Sequence, residues 1–254
     1  MLTSTLLFFL LGLSVGAFGT LVGIGGGFIL VPLFLLVYHW IPQQAIGTSL
    51  TVVLLNAVSG TLAYIRQKKV YYDAAIRFSV ATLPGAFAGS YAAQYFTGTT
   101  FRITFGCFML LISAIIFYRS SPKGASDEFD KASFVYNRPL GISLSALVGF
   151  LSSILGIGGG IIHVPAMVYL LGFPTHIATA TSHFVLAVSS FTGVASHFLL
   201  GNILTIPALT IGAGAVVGAQ IGARLSSKVK SKRILVLLSA ALFLLGLRLI
   251  TTAL

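Results

Sequence analysis

Two short stretches hold the residues best suited to chemistry. The first is Gly23-Ile24-Gly25-Gly26-Gly27, running into Phe28-Ile29-Leu30-Val31-Pro32. The second is Gly156-Ile157-Gly158-Gly159-Gly160, running into Ile161-Ile162-His163-Val164-Pro165. Adjacent glycines followed by Val-Pro break a helix, and the N–H groups freed at the start of the next one hold an anion without a charged side chain. Gly25, Gly26, Gly27, Gly158, Gly159 and Gly160 are therefore candidate substrate contacts, set against close helix packing as the alternative use of small residues. Thr48-Ser49 and Thr181-Ser182 follow each patch and offer hydroxyl donors, although such residues taken singly bond their own helix backbone. His163 and His183 adjoin these groups. An ionisable ring at depth in a bilayer is a functional candidate by default, able to take up a proton or donate to a substrate. The plainer alternative is a ring satisfied by a neighbouring carbonyl. Asn56, its counterpart Ser189, and Gln220 are weaker candidates.

What positions these residues is a duplication. The offset of 133 residues between Gly23 and Gly156 also pairs Ala45 with Ala178, Thr48 with Thr181, Ser49 with Ser182 and Gly60 with Gly193. It pairs Gly85 with Gly218 and Gly89 with Gly222 as well, a match far too long for a local motif. The histidines break the symmetry, since His163, His183 and His197 stand where the first half has Leu30, Leu50 and Tyr64. A Gly/Pro-interrupted apolar segment at matching places in two halves points to a substrate site where the halves meet.

The chain is 57% hydrophobic and 7% charged, the composition of a polytopic membrane protein. Its net charge of +11 sits in a few loops, which reads as anchoring at a lipid surface and not as a nucleic-acid groove. Residues 1–22 lack a basic start and a cleavage pattern and are read as a retained first helix. Each half resolves into five hydrophobic segments: 2–22, 28–40, 45–65, 74–96 and 101–118, then 140–155, 161–173, 177–200, 203–225 and 234–254. The second of each five has about 13 residues, or roughly 20 Å of helix against a hydrocarbon core of roughly 30 Å, so it is half-length, tilted or re-entrant. The division is a first repeat at 1–118, a linker at 119–138 and a second repeat at 139–254.

Placing the basic loop at Arg66, Lys68 and Lys69 inside also puts the linker and the loop at 224–233 inside, twelve basic residues in all. The matching loop at Gly201-Asn202 then falls outside, so the halves face opposite ways. The expectation is an all-α inverted repeat in the plasma membrane, with a cytoplasmic linker and both termini outside.

The exclusions are informative. The four acids, Asp73, Asp127, Glu128 and Asp130, all lie near segment ends or in the linker, so no deep carboxylate relay or carboxylate cation site is expected. A Ser/His enzyme lacks an orienting acid. Asp73 and Arg77, four apart, read as an interfacial pair on one helix face. Cys107 is alone, forms no intrachain disulfide and reads as a small buried hydrophobe. Gly85, Gly89, Gly218 and Gly222 read as packing positions. No catalytic residue, metal or cofactor is expected.

The GIGGG-x(3)-VP patch in both halves, the A-x-x-TS that follows each, and the later glycine pattern resemble the sulfite exporter TauE/SafE family of membrane permeases over essentially the whole chain. The resemblance implies transport of a small anion, such as sulfite, thiosulfate or a sulfonate, coupled to a proton or sodium gradient. It places the family's half-helix tips at Gly25 to Gly27 and Gly158 to Gly160. A passive anion channel or facilitator is the alternative on the same residues. A homo-oligomer and bound membrane lipid are compatible with either.

Overall fold

The computed structural model describes residues 2–96, 98–118, 134–226 and 228–253. They form ten α-helices and one 3₁₀ turn, with no strand among the described residues. The first half is α1 (Leu2–Val22), α2 (Gly27–Leu36), α3 (Pro42–Arg66), α4 (Tyr72–Ala92), the 3₁₀ turn Ala93–Tyr95 and α5 (Gly98–Tyr118). The second is α6 (Arg138–Leu155), α7 (Gly160–Tyr169), α8 (Thr175–Leu199), α9 (Thr205–Ser226) and α10 (Ser231–Thr251).

The boundaries follow from local chemistry. Pro42 opens α3 at a position where a missing N–H costs nothing. Asn137 caps α6 by accepting the Leu140 N–H at 3.0 Å, and the helix starts at Arg138. The linker's 119–133 lies outside the described residues.

Seven helices, α1, α3, α5, α6, α8, α9 and α10, are long and apolar enough to cross a membrane. Of the ten expected segments, α4 has the length, at 21 residues, but not the apolarity, because Asp73, Arg77 and several small polar residues lie along it. The helices α2 and α7 have 10 residues each, about 15 Å by the α-helical rise, and stop well short of a bilayer core. Both are half-length elements, shorter than the 13 residues expected, because the chain turns after Leu36 and after Tyr169.

Packing comes in exchanged pairs. Helix α1 lies on α9 and α6 on α4, so the first helix of each half packs on the fourth helix of the other. In the same way α3 packs on α9, α8 on α4, α3 on α8 and α5 on α10. Glycine makes the close crossings possible. A Cβ on Gly85 or Gly89 would collide with the Ala146 or Phe150 carbonyl of α6, and one on Gly218 or Gly222 with the Leu13 or Ala17 carbonyl of α1. Large apolar side chains such as Leu7, Phe87, Phe191 and Leu244 remain on the outside, as lipid-facing residues do. Cys107 joins them. It is exposed on α5, not buried as its apolar run suggested, because that run is lipid-facing on one side.

Asp73 does pair with Arg77, at 2.9 Å, and gains two partners the spacing could not announce. The Tyr136 hydroxyl donates to its other oxygen at 2.8 Å, and Arg138 approaches that oxygen at 3.4 Å. One carboxylate thus fastens the entry to α6 onto the start of α4. Burial and the adjacent Asp73 carboxylate push the Tyr136 phenol well above its ordinary pKa, keeping it a donor.

Candidate functional site

The glycine patches form two turns of matching conformation. Gly23, Gly25 and Gly26 have positive φ, and so do Gly156, Gly158 and Gly159. Gly26 and Gly159 sit in the left-handed region immediately before α2 and α7, both with φ of 86°, where a side chain would be strained. In the first turn Ile24 and Gly25 donate to the Gly19 carbonyl. In the second Ile157 donates to Ser152. Beyond these bonds the amides of Gly26, Gly27 and Phe28 find no acceptor among the described residues, and neither do those of Gly158 to Ile161. Each half-helix therefore presents bare N–H groups at its positive end.

The two tips meet. A Cβ on Gly27 would lie 2.6 Å from the Gly156 carbonyl oxygen, and one on Gly160 would lie 2.5 Å from that of Gly23. Only glycine allows backbone to pass backbone so closely. Val53 of α3 and Leu186 of α8, counterparts in the duplication, wedge against both turns, since each lines the space beside Gly25 and Gly158. The meeting point is closed by two apolar side chains, flanked by Ala57.

The Thr-Ser pairs act as clasps between the halves. Ser49 Oγ donates to the Gly156 carbonyl at 2.9 Å, and Ser182 Oγ to that of Gly23 at 3.4 Å. Thr48 Oγ accepts the Leu204 N–H ahead of α9, and Thr181 Oγ accepts the Tyr71 N–H ahead of α4, both at 3.0 Å. All four residues are buried. They hold the turns from which a solute would be gripped, and their hydroxyls are engaged with backbone.

The histidines are held differently. Ser145 Oγ gives its proton to the Gly141 carbonyl at 2.6 Å, so it accepts from His163 Nε2 at 2.9 Å, and that nitrogen carries the hydrogen. His163 therefore faces α6 and the Phe78 ring, away from the glycine turns. Asn56 Nδ2 donates to the Gly16 and Ala215 carbonyls, which leaves its oxygen to accept from Thr20 Oγ1 at 3.0 Å. Thr20 then accepts from His183 Nε2 at 3.2 Å. Tyr64 completes the cluster, donating to the Thr20 carbonyl at 2.7 Å with its ring edge-on to His183. Thr20 and Tyr64 carry no signal of their own in the sequence. The duplication was the only available one, through their counterparts Ser153 and His197. Gln220 donates to Ser59 and sits away from the wedge. Among the described residues no three of His, Cys, Asp and Glu come together.

The model of the sulfite exporter TauE/SafE family matches residues 8–249. The chain belongs to that family. The probable membrane transporter protein YunE of Bacillus subtilis is 36% identical, with 94% of this chain and 95% of that one aligned. A probable membrane transporter protein of Methanocaldococcus jannaschii is 28% identical over 95% of this chain and 93% of its own. YfcA of Escherichia coli, also a probable membrane transporter protein, is 25% identical over 77% of this chain and 71% of its own. No solved structure matches. The family and the names of these relatives make this chain a membrane transporter.

Proposed function

We propose that the protein is a secondary transporter of small anions, sulfur oxyanions or organosulfonates of the sulfite, thiosulfate and sulfoacetate type. It works by alternating access, with the solute gripped between the tips of α2 and α7. Residues 1–118 and 139–254 are the two halves, oppositely oriented in the plasma membrane, with 119–138 joining them on the cytoplasmic side. The single observation that carries this reading is the juxtaposition of two half-helix tips whose amides lack acceptors. Bare amides at positive helix ends favour an anion, and the one acidic side chain among the described residues, Asp73, is engaged by Arg77 and Tyr136 at the start of α4.

The reciprocal clasps support a two-state device. Each half's turn is held by the other half's serine, so rocking one half against the other exchanges equivalent contacts. The Val53–Leu186 wedge favours alternating access over an open channel, because it closes the path at the meeting point. Gly25, Gly26, Gly27, Gly158, Gly159 and Gly160 supply the amides in this account. Thr48, Ser49, Thr181 and Ser182 set the turns, and His183, joined to the first half through Thr20, links protonation to their position.

A thermal-shift screen of purified protein against sulfite, thiosulfate, sulfate, taurine, sulfoacetate and simple carboxylates tests the substrate class. A ligand that prefers the folded state raises its melting temperature. A rise with sulfur anions supports the reading, and a rise confined to carboxylates contradicts it.

A further inference from the structure

The duplication makes two polar chambers beside the wedge, and they are not alike. In the first, Thr20, Asn56, Tyr64 and His183 form a continuous network, with Thr20 at its centre. Asn56 fills the space between α1 and α9 and bonds a carbonyl of each. The donors of this network are spent; the His183 Nδ1 acceptor and the single hydroxyl of Thr179 beside Gly23 stay unpartnered on this side. In the second, Ser153 stands in place of Thr20, Ser189 in place of Asn56 and Ser190 in place of Ala57, while Leu50 stands in place of His183. Each exchange of Asn for Ser or Thr for Ser removes atoms, and the network is not rebuilt. The oxygens of Ser152, Ser153, Ser189 and Ser190 are all buried and all without a hydrogen-bond partner.

Two of these hydroxyls lie at the α7 tip, and a third lies one turn away along α8. Ser190 Oγ is 3.4 Å from where a Gly158 Cβ would stand, and Ser152 Oγ is 3.5 Å from that of Gly159. Ser153 Oγ is 3.1 Å from that of Gly193, one turn along α8 from Ser190. The free amides of Gly158 to Ile161 lie on the same turn. A group of buried hydroxyls with nothing to bond is costly unless a guest completes it.

Resting on the anion-transport reading above, we propose that the solute's head group binds on the second-half side of the Val53–Leu186 wedge. It is held there by the hydroxyls of Ser153 and Ser190, supported by Ser152 and Ser189, together with the α7-tip amides. Several O–H and N–H donors converging with no carboxylate among them suit a ligand that only accepts, an oxyanion head such as sulfite or sulfonate. The first chamber then serves as the sealed, structural counterpart, and the site is one-sided despite the repeat.

The test is ligand binding to the purified full chain in detergent, using sodium sulfite and sulfoacetate as probes, for wild type, Ser153→Ala/Ser190→Ala and Thr61→Val. Thr61 carries a buried, unpartnered hydroxyl on α3, next to Gly60 whose Cβ would meet His183 and Thr20 of the first chamber, and serves as the control. The double variant should bind about tenfold more weakly or worse, and Thr61→Val within about twofold of wild type. Its ligand-free melting temperature should equal or exceed that of wild type, because the hydroxyls it loses have no partner to miss. A double variant that binds like wild type, or one that melts lower without ligand because ordered water alone had filled the chamber, overturns this subsite and leaves the transport reading standing. If wild type itself binds neither probe, the anion reading falls and the subsite falls with it.

Discussion

At the scale of single residues, the Thr-Ser pairs show what residue type reveals and what it hides. Their matched positions after each glycine patch marked them from sequence as important hydroxyls. Their partners could not be read, because Thr48 reaches 156 residues along the chain and Ser49 reaches 107. Both bonds cross between halves, and no local pattern encodes them. Thr48→Val keeps the shape and leaves the part-buried Leu204 N–H without its acceptor, which should cost about 0.5–1.5 kcal/mol. Thr181→Val should cost a similar amount through Tyr71. Denaturation midpoints in detergent check both, and unchanged midpoints would show that the hydroxyls do not hold these turns. The histidines were legible as asymmetric but not as to which one faces the site. The Nε2 of His163 spends itself on Ser145, whereas His183 joins the network built on Thr20 and Asn56. His183→Gln should therefore flatten the pH response of anion flux, and His163→Gln should leave it close to wild type. Equal pH profiles for wild type and His183→Gln would remove this histidine from coupling.

At the scale of elements, the sequence predicted ten segments and their order, and helix ends fell within a few residues of expectation. The two short helices came out shorter still, because the turns after Leu36 and Tyr169 are set by packing, which hydropathy does not report. The helix α4 was legible as a helix but is less apolar than its counterpart α9, an asymmetry hidden by reading both as plain hydrophobic runs. The glycines of α4 and α9 were read correctly as contact points, since a four-residue spacing lines one helix face. Gly89→Leu should force α4 from the Phe150 carbonyl and lower stability by about 1–3 kcal/mol or more. A melting temperature equal to wild type would mean that the α4–α6 crossing has slack. The tips make a sharper case. Gly27 has ordinary helical φ, so Gly27→Ala is not strained by conformation, but its Cβ would press on the Gly156 carbonyl. The expected outcome is a folded protein with anion flux reduced at least about tenfold, because a small misplacement at a binding centre is enough for that loss. Normal flux in folded Gly27→Ala would show that the close approach of the tips is dispensable.

At the scale of the whole molecule, the account rests on two copies of one unit exchanging contacts around a common centre. The duplication was plain in the sequence, and the exchanged packing of α1 on α9 and α6 on α4 is its physical consequence. What sequence could not supply was the wedge, since Val53 and Leu186 are ordinary apolar residues until the fold sets them against both glycine turns. The proposed opposite orientation of the halves makes its own prediction. Lys68 lies in the turn before α4, and Thr205 opens α9, the counterpart of α4. In a Cys107→Ser background, Lys68→Cys should react with a membrane-impermeant thiol reagent only from the cytoplasmic face, and Thr205→Cys only from the other. Labelling of both from one face would refute the inverted arrangement. The most direct test of the central claim is uptake of labelled thiosulfate or sulfite into proteoliposomes, with and without an imposed proton or sodium gradient. The account predicts accumulation above the external concentration when a gradient is present and loss of that accumulation in Gly27→Ala. Uptake that stops at equal concentrations whatever gradient is imposed, or no uptake of any sulfur anion, would contradict it.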